Sequence, residues 1–155
     1  HAHVFAVLVH PLHANWTPTK VYTGAVHYPG PVISAADYES LKKQDKGQLT
    51  DFIGTARDNW GKQRIAQELE PAIRRARELG LQLYCGEFGC LPTVTRADRL
   101  AYYRDIVAVM EENGLAWANW EYKGDFGIFE WHGGNMTTGA PDTGLIDALM
   151  SGAKK

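Results

Sequence analysis

Strand-length apolar runs that alternate with amphipathic segments predict an α/β fold built from parallel βα units with right-handed crossovers. Two observations bound that reading. The chain's 155 residues make about one ordinary domain, and a closed barrel of eight βα units usually takes around 250. A composition of 45% hydrophobic and 22% charged residues excludes disordered, collagen-like and coiled-coil classes.

The elements follow in order. Residues 4–9, an apolar run rich in valine, read as a buried strand. Residues 10–32 carry Pro11, Pro18, Pro29 and Pro31 with Gly24 and Gly30. A connection this long without its own helix is usually functional or an intrusion. Ser34 is a candidate N-cap for a short helix through Tyr38 and Glu39, and residues 52–60 are a second short helical candidate. Ile65, Leu69, Ala72, Ile73, Ala76 and Leu79 then recur at helical spacing, with Arg64, Glu68, Arg74, Arg75 and Glu78 on the other faces. Pro71 inside that pattern predicts a kink or a restart, and Gly80 a left-handed cap. Residues 81–88 read as a fully buried strand. A second helix starts at Thr95 or Arg96 and runs to Asn113, its apolar stripe made of Leu100, Tyr103, Val107 and Met110 and its terminator Gly114. Residues 115–120 are the next strand, and a short helix after Asp142, over 145–150, closes the fold before Lys154 and Lys155 fray.

Charge removes several function classes. Sixteen basic against 18 acidic residues leave a net charge of −2, so nothing electrostatic argues for nucleic acid or an anionic membrane as partner. No apolar run reaches the roughly 18 residues of a spanning helix, and no basic segment followed by an apolar stretch opens the chain. Cys85 and Cys90 fit neither a disulfide scaffold nor a four-ligand zinc site. They read as free thiols, with a bridged loop the weaker alternative. Five Trp and 7 Tyr are many for this length. Broad rings beyond core needs line sugar or aromatic ligand sites, although packing accounts for many of them.

In parallel βα units functional groups gather at the carboxyl ends of strands. Two such ends stand out: Cys85-Gly86-Glu87-Phe88-Gly89 and Ala118-Asn119-Trp120-Glu121-Tyr122. A carboxylate ending an apolar strand must be paired, hydrogen-bonded or at a solvent-filled mouth. Gly86 and Gly89 leave room for a ligand beside Glu87. The plainer reading, an acid that merely starts a loop, stays open. Trp120 is a wall for a sugar ring or a core residue; three residues from Trp117, it has the opposite strand parity.

These two strand ends, with Gly114-Leu115-Ala116-Trp117 before the second and Asp125-Phe126-Gly127-Ile128-Phe129 after it, resemble the C-terminal part of glycoside hydrolase family 5, mostly cellulases. The resemblance covers roughly residues 60–150. It implies half a TIM barrel, strands six to eight of a (β/α)8 fold, in a single domain over 1–155, with the core βα units in 61–155 and a loop with short helices in 14–60. It also implies a retaining endo-β-1,4-glucanase in which Glu87 is the nucleophile and Trp120 the floor under the sugar being cleaved. Trp16 and Trp131 are candidates for outer sugar subsites or for loop packing. The family's acid/base, a Glu directly after an Asn at the fourth strand, has no counterpart here. Glu121 and Asp125 lie beside the last strand, and Glu121 has the wrong parity to join Trp120.

At the sixth strand family members carry a histidine, a tyrosine and a proline, then a phenylalanine-threonine-histidine run. This chain reads Ala2-His3-Val4-Phe5-Ala6-Val7-Leu8-Val9-His10-Pro11-Leu12-His13, and codons compatible with it, read one base out of frame, spell each family residue. A frameshift over residues 1–13 is therefore expected, which makes His1 and His3 accidental rather than metal ligands. His27 and His132 read as surface residues. No cofactor and no metal are expected. The implied partner is a β-glucan, secretion follows from the family, and exposed sheet edges predict a homodimer. Alternatives within and outside the activity are a mannanase or mixed-linkage glucanase, and a non-catalytic, self-associating fragment.

Overall fold

A computed structural model describes residues 22, 24–44, 54–132 and 139–151. The expected strand at 4–9, the segment 1–13 in which a frameshift is expected, and Trp16 lie outside the described residues.

Helix α1, Ala35–Gln44, starts where Ser34 Oγ accepts the Asp37 N–H at 3.1 Å. The Ser34 hydroxyl also donates to the Asp37 carboxylate at 2.6 Å and, together with the Tyr22 hydroxyl, holds that carboxyl below its usual range. Of the second short candidate, residues 54–55 are helical and the chain turns from there to Trp60. Helix α2, Lys62–Glu78, is one continuous helix through Pro71, where a kink or restart was expected. Pro71 is exposed, while Ile65 and Ile73 on the inner face are fully buried, and their burial offsets the lost backbone hydrogen bond. The helix ends as its glycine predicts. Gly80 has φ +64°, its N–H donates to Arg77 O, and the Leu81 N–H donates to Ala76 O.

Strand β1, Tyr84–Phe88, leads to helix α3, Arg96–Glu112, which Thr95 caps by accepting the Asp98 N–H. Gly114, at φ +69°, turns the chain into strand β2, Ala116–Asn119, and Asp142 caps helix α4, Thr143–Leu149. The two strands pair in parallel, as alternating βα units require. Helix α3 packs between α2 and α4 and against β2. It therefore buries Tyr102, Ile106 and Val109 besides the expected stripe, because three neighbours need three apolar faces.

Two expectations are corrected. The strand over 81–88 is not fully buried: Tyr84 is 62% exposed and Leu81 is exposed beside it, so one sheet face lies open among the described residues. The proline-rich connection is core rather than a free loop over its described part. Val26, Tyr28, Val32 and Ile33 are buried, an antiparallel bridge joins Gly30 to Trp60, and the Tyr28 hydroxyl donates to Asp105 of α3 at 2.6 Å. Burial first, then that hydrogen bond, hold the Tyr28 phenol far above its ordinary range.

Both cysteines are free, as read. Cys90 is fully buried and its thiol is pushed up to about 12 by burial, whereas Cys85 is partly exposed. Only the thiolate reacts, so at pH 8 Ellman's reagent should titrate Cys85 alone in the native chain and both thiols after unfolding in guanidinium. Two fast equivalents without denaturant would contradict the packing around Cys90.

Candidate active site

The site is assembled by strand pairing. Tyr84 pairs with Ala116 and Cys85 with Trp117, but Phe88 pairs with Asn119, so one extra residue on β1 forms a bulge between Cys85 and Phe88. Cys85 and Phe88 both pack toward the helices, and Phe88 sits edge-on to Trp117 with ring centroids 5.5 Å apart. The Cys85 thiol turns toward Glu87 O at 3.5 Å within the bulge.

That bulge breaks the alternation in which Glu87 lies. Strict alternation would put Glu87 with Cys85, on the helix side. One extra residue between Cys85 and Phe88 lifts that constraint and lets Glu87 face away from Phe88. On β2 the parity argument applies directly: Trp117 is in the core, and Trp120, three residues on, is 50% exposed. Its N–H donates to Phe88 O at 2.7 Å, which fixes the two strand ends side by side. A partly buried carboxylate and an exposed indole thus stand at adjacent strand ends.

The loop after β1 is clamped from below by α3. The Cys90 N–H donates to the Tyr103 hydroxyl at 3.0 Å, and Arg99 Nε donates to Cys90 O at 3.0 Å. Burial raises the Tyr103 phenol to about 12, so it stays neutral and keeps accepting the Cys90 N–H across the ordinary pH range. Gly89, expected to admit a ligand, is buried and instead admits the chain itself. A Cβ there would enter the Trp120 carbonyl oxygen and stand 3.0 Å from Phe126 Cδ1. Gly86 is the exposed glycine of the pair.

After Trp120, joined to Glu121 by a cis peptide, the chain closes on itself through Glu121 N–H to Phe126 O and Gly127 N–H to Gly124 O. The Glu121 carboxylate folds over Gly124, where a Cβ would lie 2.8 Å from its Cδ. Asp125 is partly exposed in the same turn. Trp131 is 42% exposed and lines a cavity between the two βα loops with Arg96 and Arg99. His27 and His132 are at the surface. Among the described residues no three His, Cys, Asp or Glu side chains converge as metal ligands. Sequence reading missed the bulge, buried Tyr28 and buried Arg99; only a partner strand or helix makes each visible.

Fold and strand ends together define an α/β unit with a small parallel sheet, and a carboxylate and an indole stand at the carboxyl ends of its two strands. The resemblance to glycoside hydrolase family 5 is carried by relatives that the chain matches over part of their length. The chain is 28% identical over 118 residues to Endoglucanase C of Acetivibrio thermocellus, covering 75% of this chain and 33% of that protein. It is 29% identical over 117 residues to Cellodextrinase A of Ruminococcus flavefaciens, covering 71% and 35%. In fold it is similar to the cellulose synthase subunit Z of Clostridioides difficile, with a TM-score of 0.60 at 16% identity over 95% of this chain and 38% of that one. The chain spans about a third of the length of the curated relatives it matches. No protein-family profile matches it.

Proposed function

We propose that the chain is the C-terminal part of a retaining endo-β-1,4-glucanase, with Glu87 as nucleophile and Trp120 as the platform beneath the sugar at the scissile bond. The observation that supports this reading is the β1 bulge, which lets Glu87 face away from Phe88 beside a strand end at which Trp120 stands exposed. Glu87 attacks the anomeric carbon as a general acid protonates the leaving oxygen; water then hydrolyses the glycosyl ester. The two carboxyl groups of such a pair stand about 5 to 5.5 Å apart. The acid belongs to the fourth strand of the parent barrel. Glu121, folded back over Gly124, does not stand in for it. A β-glucan is the substrate, with Trp16 and Trp131 as outer subsites; secretion follows from the family reading. Among the described residues no helix is long and apolar enough to cross a membrane.

The second reading, a self-associating fragment that holds glucan without cleaving it, is favoured by the open sheet face at Tyr84. An apolar sheet face and an unpaired parallel edge recruit a partner, and a second copy supplies both. A mannanase or mixed-linkage glucanase differs only in its strand-end loops.

The test is hydrolysis of soluble β-1,4-glucan followed by NMR of the first reducing ends, beside light scattering of the same sample. β-Anomers appearing first support the retaining reading, and α-anomers first exclude it. A dimer without hydrolysis selects the fragment reading, and a clean monomer at high concentration rejects self-association.

A further inference from the structure

Asn119 breaks the pattern of its strand. Ala116, Trp117 and Ala118 precede it on β2, and it pairs in register with Phe88. Its side chain is partly buried, and its Oδ1 is buried with no hydrogen-bond partner among the described residues. An apolar side chain would fill the same space without the desolvation cost of an unpaired acceptor. A local cost of that kind calls for a role for the other half of the amide. Asn119 Nδ2 donates to Glu121 O at 3.1 Å, a bond that closes a ring around Trp120. The amide does not turn over, since Oδ1 would then face the Glu121 oxygen, acceptor against acceptor.

Trp120 needs such a restraint. Its indole is 50% exposed, so packing walls only part of it, and its direction depends on the main chain to either side. Trp120 N–H donates to Phe88 O at 2.7 Å and Glu121 N–H to Phe126 O at 3.3 Å. Those two bonds hold the amide groups of residues 120 and 121, and the Glu121 carbonyl is held by neither. We propose that Asn119 is a positioning residue: its hydrogen bond to Glu121 O fixes the direction of the Trp120 indole and thereby the affinity for the sugar that Trp120 receives. The sugar half rests on the reading of Trp120 as a platform; the positioning half does not. Asn119 acts only through Trp120, because its Oδ1 is closed to solvent and its Nδ2 is turned to the main chain.

The experiment labels the whole chain with fluorotryptophan and follows its indoles by fluorine NMR, the Trp120 resonance being assigned with Trp120→Phe. Asn119→Asp keeps the shape of the side chain and replaces the donor with a carboxylate. Near neutral pH it should move or broaden the Trp120 resonance and leave the other indoles in place. At about pH 4, where a partly buried carboxyl holds its proton and donates again, the resonance should return. Cellotetraose titrated calorimetrically into the same chains should bind about three- to tenfold more weakly to the variant near neutral pH, the worth of one hydrogen bond, and equally to both in acid. Glu87 and Glu121 titrate in both chains, so the ratio of variant to unaltered chain isolates residue 119. Should Asn119→Asp fail to fold, Asn119→Ala, which removes the donor and the unpaired acceptor together, should move the same resonance with no return in acid. The positioning role is overturned by a Trp120 resonance that neither folded variant moves, by all the indoles moving together, or by an Asn119→Asp shift that acid does not reverse. Cellotetraose binding that is absent in the unaltered chain, or unaffected by Trp120→Ala, removes the platform reading and the sugar half with it. Affinity lost in Trp120→Ala but kept in an Asn119 variant whose Trp120 resonance has moved overturns the sugar half alone.

Discussion

Glu87→Gln is expected to lower turnover on soluble β-1,4-glucan by at least about 10³-fold in any assembly of this chain that cleaves it. The amide keeps the size and shape of the carboxylate but has no anionic oxygen to form a glycosyl ester, so the covalent step is removed and little else changes. Glu87 is partly buried at the end of β1 and takes no part in the Phe88–Tyr103 ring contact. Its replacement should therefore leave the melting temperature within a few degrees, as for substitutions outside the core. An intact fold with lost turnover is the signature of a group acting in the chemistry. Equal turnover in the two chains would place the activity elsewhere. In Glu87→Ala, which leaves room where the carboxylate stood, added azide should restore part of the rate and yield an α-glycosyl azide, the mark of a missing nucleophile. A missing acid would instead give the β-product.

Which parts of this were legible in the sequence follows from how local each determinant is. Ser34, Thr95, Gly80 and Gly114 act within one turn of their own chain, and each caps or terminates the helix that its residue type implies. The stripe of α3 was read too narrowly because its width depends on how many neighbours surround the helix, a property of the packed fold. Tyr28 and Asp105 are 77 residues apart, so nothing near Tyr28 marks it as a core residue. Arg99 reads as a solvated charge on a helix, yet the loop that it clamps covers it. At the candidate site the residue types were legible and their facing was not. Alternation counted from Cys85 puts Glu87 on the same face, and only the pairing of β1 with β2 reveals the extra residue that breaks the count. The exposure of Tyr84 was missed for a related reason: an apolar run shows that a strand can be covered on both sides, not that it is.

Gly89→Ala should cost at least about 1–3 kcal/mol, the range for overpacking a filled site, and lower the melting temperature by several degrees for a chain of this size. The added methyl would meet the Trp120 carbonyl oxygen, part of the backbone, and Phe126 Cδ1 at 3.0 Å, a buried ring. Neither can step aside in the way that the tip of an exposed side chain can. The Trp120 peptide must therefore move, and with it the hydrogen bond from Trp120 N–H to Phe88 O that sets the two strand ends together. Gly86→Ala is the matched comparison. Its methyl would meet only the ring edge of exposed Tyr84, at 3.3 Å, and it should cost less than about 1 kcal/mol. The same pair of variants separates two roles for glycine beside a reactive carboxylate. If Gly89 serves the chain's own packing, Gly89→Ala loses stability and displaces Trp120 together, which chemical denaturation and the tryptophan emission maximum report on one sample. If Gly89 instead serves ligand access, stability stays level with Gly86→Ala and only glucan affinity falls. The buried contact with the Trp120 carbonyl requires the first outcome.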